Sequence, residues 1–311
     1  MRHMIQRHGI GLLLLAAILG LASCGKSEKS LVPIVENPFE GVTVGTDSTL
    51  EITTWNLERF AKQGDATVTA VVQAIEAMDV DIIALQEIKN FTYFRQMRQL
   101  LQSWDGDRAT SAGYDINLAF LYRIDGDLEV DSVYEILVEY SREFPRRPFV
   151  LEGRYNDVPI VVINNHFKCC GNGTIDEDDW DEETRRRDAS LMLDEFIRTN
   201  YTDKHVIVVG DFNDSLTDTP SRNVFQNFID APDDYRFVDM AIAEGSGSGW
   251  SFPGWPSHLD HILVGGSLFE ALAGNDTEVM VVPLHAYFPN GLTGYDPLIS
   301  DHLPVVLKMG F

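Results

Sequence analysis

A chain of 311 residues with 44% hydrophobic side chains carries enough apolar material for a large buried core, which excludes a disordered protein. Asp and Glu number 48 against 24 Lys and Arg, a formal charge of −24. That balance opposes tight non-specific binding to polyanions, which draws on clustered cations, but not an enzyme in which a metal ion supplies the local positive charge.

The first residues follow an export pattern: Arg2 and Arg7 precede an apolar stretch from Ile10 to Ala22, which ends at Leu21-Ala22-Ser23-Cys24. The stretch is too short to span a bilayer, which takes about 20 residues. Leu-Ala-Ser-Cys resembles the lipobox of bacterial lipoproteins, and the resemblance implies a signal peptide over 1–23 and lipid on Cys24; an ordinary secretory peptide is the alternative. Gly25 to Thr49, with Pro33 and Pro38 and no periodicity, reads as a tether, so one folded domain is expected over 50–311.

Within that domain Leu50 to Trp55 reads as a strand, Thr67 to Met78 as a helix with Val68, Val71, Val72 and Ile75 on one face, and Asp81 to Gln86 as a short buried strand. A helix follows over Phe91 to Gln102, then strands over Asn117 to Arg123, Ser132 to Glu139, Phe149 to Arg154 and Pro159 to Asn164. After a polar insertion, Thr184 to Thr199 has the apolar stripe of a helix, and His205 to Val209 is a strand. A short helix over Pro220 to Ile229 and strands over Leu259 to Val264, Glu278 to Val282 and Leu303 to Lys308 complete the set. Two packed sheets with helices outside is the economical arrangement.

Polar clusters sit where these strands end. Gly210-Asp211-Phe212-Asn213-Asp214 follows a run of Val and Ile; if the extension continues, Asp211 and Asn213 point the same way and can hold one water or phosphate oxygen between them. Alone, the cluster reads as a turn. His302 in Ser300-Asp301-His302 suits hydrogen bonding to a phosphoryl oxygen or proton transfer, with Asp260 as the carboxylate that orients it. Glu87 is a hard oxygen ligand of the type Mg²⁺ accepts, Asn56 adds an amide oxygen or steadies Glu87, and His166 reaches the phosphate from another side.

The ordered set Trp55-Asn56-Leu57, Gln86-Glu87, Asn165-His166, Gly210-Asp211-Phe212-Asn213, Leu259-Asp260-His261 and Ser300-Asp301-His302 resembles the endonuclease/exonuclease/phosphatase superfamily, the DNase I-like fold, over about Leu50 to Phe311. The resemblance implies a four-layer αββα sandwich of two mixed, mainly antiparallel sheets, and divalent-metal-dependent phosphoester hydrolysis with Mg²⁺, or else Mn²⁺ or Ca²⁺. It implies Glu87, Asn56 and Asp301 around the metal, and Asp211 and Asn213 positioning or deprotonating water. His302 paired with Asp260 would stabilise phosphoryl charge, with His166 on the phosphate. Arg147, in Arg147-Pro148, is a further phosphate contact on the same ground.

Other features stay open. Cys169-Cys170 reads equally as a vicinal disulfide or as two thiols. The acidic run from Asp176 to Glu183, broken only by Trp180, reads as a solvated loop in preference to a calcium site, since the Gly-containing spacing of an EF-hand is absent, and Arg185, Arg186 and Arg187 as its ion-pair partners, with Arg187 facing the active site as the alternative. Trp250, Phe252, Trp255 and His258 form an aromatic loop suited to packing or to stacking a base. The function expected is an exported endonuclease acting on nucleic acid, lipid-anchored in the bacterial cell envelope on the periplasmic or outer-surface side, with no obligate protein partner. The alternatives are a phosphatase or sphingomyelinase-like phosphodiesterase and a catalytically silent surface lipoprotein.

Overall fold

The structure, a computed structural model, describes residues 37–112 and 116–311; Cys24 and the expected signal peptide lie outside them. In chain order the elements are β1 (Thr49–Phe60), α1 (Asp65–Met78), β2 (Ile82–Ile88), α2 (Phe91–Leu100), β3 (Trp104–Arg108), β4 (Asn117–Arg123), β5 (Leu128–Glu135), β6 (Phe149–Tyr155), β7 (Val158–His166), α3 (Glu182–Asn200), β8 (His205–Asp211), β9 (Tyr235–Phe237), β10 (Asp260–Gly265), β11 (Glu278–Val281) and β12 (Val305–Gly310), with short helical turns between.

Two sheets of six strands form, in the orders β11-β12-β1-β2-β4-β3 and β5-β6-β7-β8-β10-β9. Each contains one parallel pair, β1 with β2 and β7 with β8, and the remaining ladders are antiparallel. Side chains alternate across a strand, so each sheet offers two apolar faces. Ile52, Ile82, Ala84, Val162, Ile207, Val209 and Ile262 meet between the sheets. Trp55, Ile83 and Leu85 face outward onto Val68, Val71 and Ile75 of α1. Val161, Ile163 and Val208 pack on Ala189, Leu193 and Ile197 of α3. Three apolar layers between four structural layers make the αββα sandwich.

The packed unit begins at Asn37, earlier than the expected Leu50. Phe39, Val42 and Val44 are buried, and Val44 N–H donates to Met78 O at 2.9 Å, so sparse apolar residues without a period seat the segment against α1. Pro220 to Ile229 is mostly not helical: Asn223 Nδ2 donates to Leu216 O at 2.8 Å and its Oδ1 accepts from Phe225 N–H at 2.9 Å, which turns the backbone before a single helical turn at Gln226–Ile229. The strand expected over Ser132 to Glu139 lies at Leu128–Glu135 and stops before Leu137, whose φ is 52°. The unforeseen β3 is an edge strand whose Asp105 and Asp107 mask its pattern. The end of the acidic run is not loop: Asp181 caps α3, accepting from Thr184 N–H at 2.8 Å, and Glu182 and Glu183 occupy its first turn, where carboxylates are stabilised.

Candidate active site

Along each central strand the inward-facing positions pass from apolar to polar towards one end. After Ile52 and Thr54 comes Asn56, after Ile82 and Ala84 comes Gln86, after Val162 comes Asn164 and then His166, and after Ile207 and Val209 comes Asp211. β10 runs the other way and begins with Asp260 before Ile262. Register completes the assembly: His166 and Asp260 are both paired with Asp211, from the two neighbouring strands. Asn56 Nδ2 donates to Asp211 Oδ2 at 2.9 Å and Gln86 Nε2 to Asn164 Oδ1 at 2.8 Å, tying the sheets together at their mouth. Gly210 is required there, since a Cβ would fall on the backbone of Asn165.

His302 reaches this cluster from the segment before β12. Its Nδ1 lies 2.7 Å from Asp260 Oδ2 and its Nε2 3.9 Å from Asp211 Oδ2. The segment is locked to β1: Ser300 Oγ donates to Asn56 O at 2.6 Å, and Tyr295, whose hydroxyl accepts from Trp55 Nε1 at 3.2 Å, donates to His302 O at 2.7 Å. Burial opposes a charge on His302, but the carboxylates of Asp260, Asp211 and Asp301 outweigh it and hold the imidazolium up to about 10. Burial pushes Asp211 up to about 6, against the attraction of His302. His166 Nε2 lies 3.5 Å from Asp211 Oδ2; burial, Arg146 and His302 all drive its pKa well down, so it is neutral, with Nδ1 buried and unpartnered. A cationic imidazole, a neutral one and a carboxylate that titrates near neutrality thus face one another.

The other sheet brings its acids through a bulge. The β1 and β2 register shifts between Asn56 and Phe60, and Glu58, Arg59 and Glu87 take left-handed φ values of 37°, 55° and 60°. Such conformations persist only where surroundings impose them. Here Arg59 N–H donates to Glu87 Oε2 at 3.0 Å and Glu58 N–H to Asn56 Oδ1 at 2.9 Å. Asp301 N–H donates to Glu58 Oε2 at 3.2 Å, while Asp301 Oδ1 is buried without a hydrogen bond, 3.9 Å from His302 Nε2; burial pushes this carboxyl up to about 6. Glu87 and Asp301 are hard oxygen donors of the type a divalent cation takes, while Glu58 is already paired with Lys62; at the mouth the ligand atoms that lie within 4.8 Å of one another are those of Asp211, Asp260 and His302. Glu58 was invisible to strand-end reasoning because only the bulge turns it inward. Asn56 spans both halves, holding Asp211 with its amide and the bulge with its carbonyl.

Two expectations change. Extension does not continue past Asp211: Asn213 has φ 55° and its N–H turns back to Asp211 Oδ1 at 3.0 Å, while its Nδ2 donates to Phe167 O at 3.3 Å. The two side chains are joined by a turn, not by strand alternation. The arginine beside the turn after Asp211 is Arg146, whose Nη2 shares Phe167 O with Asn213 Nδ2, where the sequence suggested Arg147. Arg146 is pushed down by burial yet feels Asp211 and Glu87, and its Nη2 donates to Phe167 O at 2.8 Å; Arg147 donates Nε to Val138 O at 3.1 Å. Either Arg could have preceded Pro148 inward, and sequence alone could not choose.

The remaining features surround the mouth. Phe252 packs on His302 with ring centroids 4.8 Å apart, Trp250 Nε1 is tied to Ile242 O at 2.9 Å, and Trp255 is 78% exposed, so the aromatic loop both packs and projects. Cys169 and Cys170 are free thiols with Sγ atoms 3.0 Å apart. The three arginines mostly pass over the acidic run. Arg186 binds Asp214 at 2.8 Å and the carbonyls of Lys168 and Cys170, with Glu183 at 3.5 Å; Arg187 pairs with Asp188, and Arg185 Nε donates to Arg142 O. A second buried cluster joins Asp239 to His261 at 2.6 Å and to His258 at 3.0 Å. With His261 Nε2 on Asp214 O at 3.0 Å, it braces the loop after Asp211.

A two-sheet α/β sandwich whose mouth gathers these acids and histidines defines a phosphoester hydrolase. The chain belongs to the Endonuclease/Exonuclease/phosphatase family, whose model matches residues 53–302. Among solved structures, D. rerio TDP2 complexed with single strand DNA product matches with a TM-score of 0.65 and 14% identity over 85% of this chain and 100% of that one. The human Nocturnin catalytic domain with bound sulfate anion has a TM-score of 0.58 and 16% identity over 85% of this chain and 94% of that one. A Bacteroides vulgatus endonuclease/exonuclease/phosphatase gives 0.58 and 15% over 85% and 99%. At these identities the likeness is one of fold. No curated protein matches the chain in sequence.

Proposed function

We propose that the protein is a divalent-metal-dependent endonuclease that cleaves phosphodiester bonds of nucleic acid, exported and held in the bacterial cell envelope by lipid on Cys24. The observation that carries the hydrolytic reading is the buried His302–Asp260 pair, 2.7 Å apart, facing Asp211 across the mouth.

Hydrolysis needs an in-line water, neutralised equatorial oxygens and help for the leaving oxygen. Asp211, with a pKa near 6, accepts the proton of the attacking water, and the Asn56 amide fixes its orientation. The His302 imidazolium, held charged by Asp260, donates to a phosphoryl oxygen, and as the P–O bond breaks the leaving oxygen takes a proton from solvent water while Asp211 returns its own to solvent. Neutral His166 and the Arg146 guanidinium serve the other oxygens. Glu87 and Asp301, with Asn56 or Glu58 beside them, would hold a divalent cation, Mg²⁺ in this reading, which supplies Lewis-acid charge at the phosphate. Support for a nucleic-acid substrate comes from the TDP2 structure, which holds a single strand DNA product.

The test is a panel of plasmid DNA, RNA, bis(4-nitrophenyl) phosphate, sphingomyelin and phosphate monoesters, with Mg²⁺, Mn²⁺ or Ca²⁺ and with chelator. Chelator-sensitive cleavage of DNA or RNA is expected. Turnover of monoesters or sphingomyelin alone overturns the nuclease reading, and silence on every substrate overturns the enzyme. Metabolic labelling with a radioactive fatty acid, lost in Cys24→Ala, tests the anchor.

A further inference from the structure

Beside the catalytic mouth lies a cavity of about 420 Å³ lined by Ile116, Pro145, Arg146, Arg147, Lys168 and Arg185. Four cations around one cavity is an unusual concentration in a chain with 48 acids and 24 bases. Ordinarily such cations are ion-paired, and Lys168 does reach Glu182 at 3.3 Å. Arg146, Arg147 and Arg185 form no ion pair with any described residue. Each is held by one backbone carbonyl: Arg146 Nη2 on Phe167 O at 2.8 Å, Arg147 Nε on Val138 O at 3.1 Å and Arg185 Nε on Arg142 O at 2.7 Å. Gripping Arg147 and Arg185 by Nε fixes each plane and leaves the two terminal nitrogens as a fork, the geometry that takes phosphate oxygens in pairs. Arg146 Nε, buried and without any partner, is a second unmet demand in the same wall.

Arg146 also ties this cavity to the reaction centre, since its Nη2 shares Phe167 O, the carbonyl after His166, with Asn213 Nδ2, at 2.8 and 3.3 Å. The two spaces share one guanidinium. Ile116 and Pro145 add an apolar wall, and Arg185 lies over the ring of Trp180, 5.7 Å from its centroid, with Trp180 itself 66% exposed. Cations with an apolar wall and an exposed indole suit a phosphate attached to a nucleoside better than a free inorganic ion.

We propose that this cavity binds a second phosphate of the substrate, adjacent along the chain to the one being cleaved, so that the enzyme selects a polynucleotide over a molecule with a single phosphodiester. The inference rests on the phosphodiesterase reading above and adds the substrate's requirement for a flanking phosphate. It also answers the problem set by the acidic surface: strand binding draws on this local group of cations, three of them without an ion pair among the described residues, and not on the overall charge.

The experiment compares thymidylyl-thymidine, which has one phosphate, with the same dinucleotide phosphorylated at its 5′ or its 3′ end, in the wild type and in Arg147→Gln and Arg185→Gln, with Mg²⁺ present. One of the two phosphorylated forms is expected to show kcat/KM at least tenfold above the parent, and each variant is expected to reduce that preference below threefold. Because the preference is a ratio within one preparation, partial unfolding of a variant cancels. No preference in the wild type, or a preference intact in both variants, overturns the proposal. Bis(4-nitrophenyl) phosphate separates the two readings: its cleavage without any preference among the dinucleotides leaves the phosphodiesterase standing and removes the flanking-phosphate subsite. If no diester is cleaved, both fall.

Discussion

The sandwich buries carboxylates at both ends of its central strands. Where β1, β2, β7 and β8 finish, Asp211 and Asp260 lie beside His302 and the amide of Asn56, so buried negative charge meets a cation and a donor. Where β1 and β2 begin, Glu51 is as deeply buried but faces another carboxyl, Asp81, which also accepts from the Glu51 N–H at 2.9 Å. Burial there pushes Glu51 up to about 8, with Thr49 pulling back and Asp81 adding to the rise. One end keeps its charges and spends stability on reactivity, while the other keeps a proton and stays inert. Burial of an acid thus marks no function by itself; the partner decides.

The contrast breaks most severely at Asp211. Asp211→Asn keeps the shape and the contact with Asn56 but cannot accept a proton, so kcat should fall by about 10³-fold or more, within the range for loss of a positioned base. Metal affinity, measured by calorimetry, should stay near the wild-type value. Activity within tenfold of wild type would remove Asp211 from the proton transfer.

Asp260→Asn should cost less, about 10²-fold, because His302 remains in place but loses the carboxylate that does most to hold up its charge. The pH profile sharpens this. Asp211 must be ionised, which sets an acid limb near pH 6, and His302 must be protonated, which sets an alkaline limb near pH 10. In Asp260→Asn the alkaline limb should move to lower pH while the acid limb persists. A profile displaced equally at both limbs would contradict the assignment.

Both ends were unequally legible in the sequence. Apolar strands with polar ends announced the mouth, and Asn56, Glu87, His166, Asp211, Asp260 and His302 could be picked out because each closes or opens a run of β-branched residues. Glu58 and Arg146 could not, since a bulge and the choice between adjacent arginines settle which side chain turns inward. The strands with strong periodicity were placed within a few residues, whereas β3 hid behind alternating Asp residues and Phe39 to Val44 behind a sparse pattern. The Glu51–Asp81 pair carried no signal at all. Asp81 reads only as the start of a short buried strand, with nothing to name its partner, and only the parallel pairing of β1 with β2 brings it to Glu51.

That pair gives the smallest effect and isolates the inert end. A carboxyl whose folded pKa lies above its unfolded value binds its proton more tightly when folded, so its contribution is full below pH 4.5 and is lost as pH rises towards about 8. Stability should therefore decline across that window. Glu51→Gln keeps the size and a hydrogen-bond donor for Asp81 while removing the proton, so the decline should flatten. At pH 8 the melting temperature should rise by about 2–3 °C, the shift expected of 1–2 kcal/mol in a chain of this length. Turnover should be unaffected, because Glu51 lies at the end of β1 away from Asn56. If Glu51→Gln melts with the same pH slope as the wild type, the buried proton resides elsewhere, and Asp81→Asn becomes the variant that should abolish the slope.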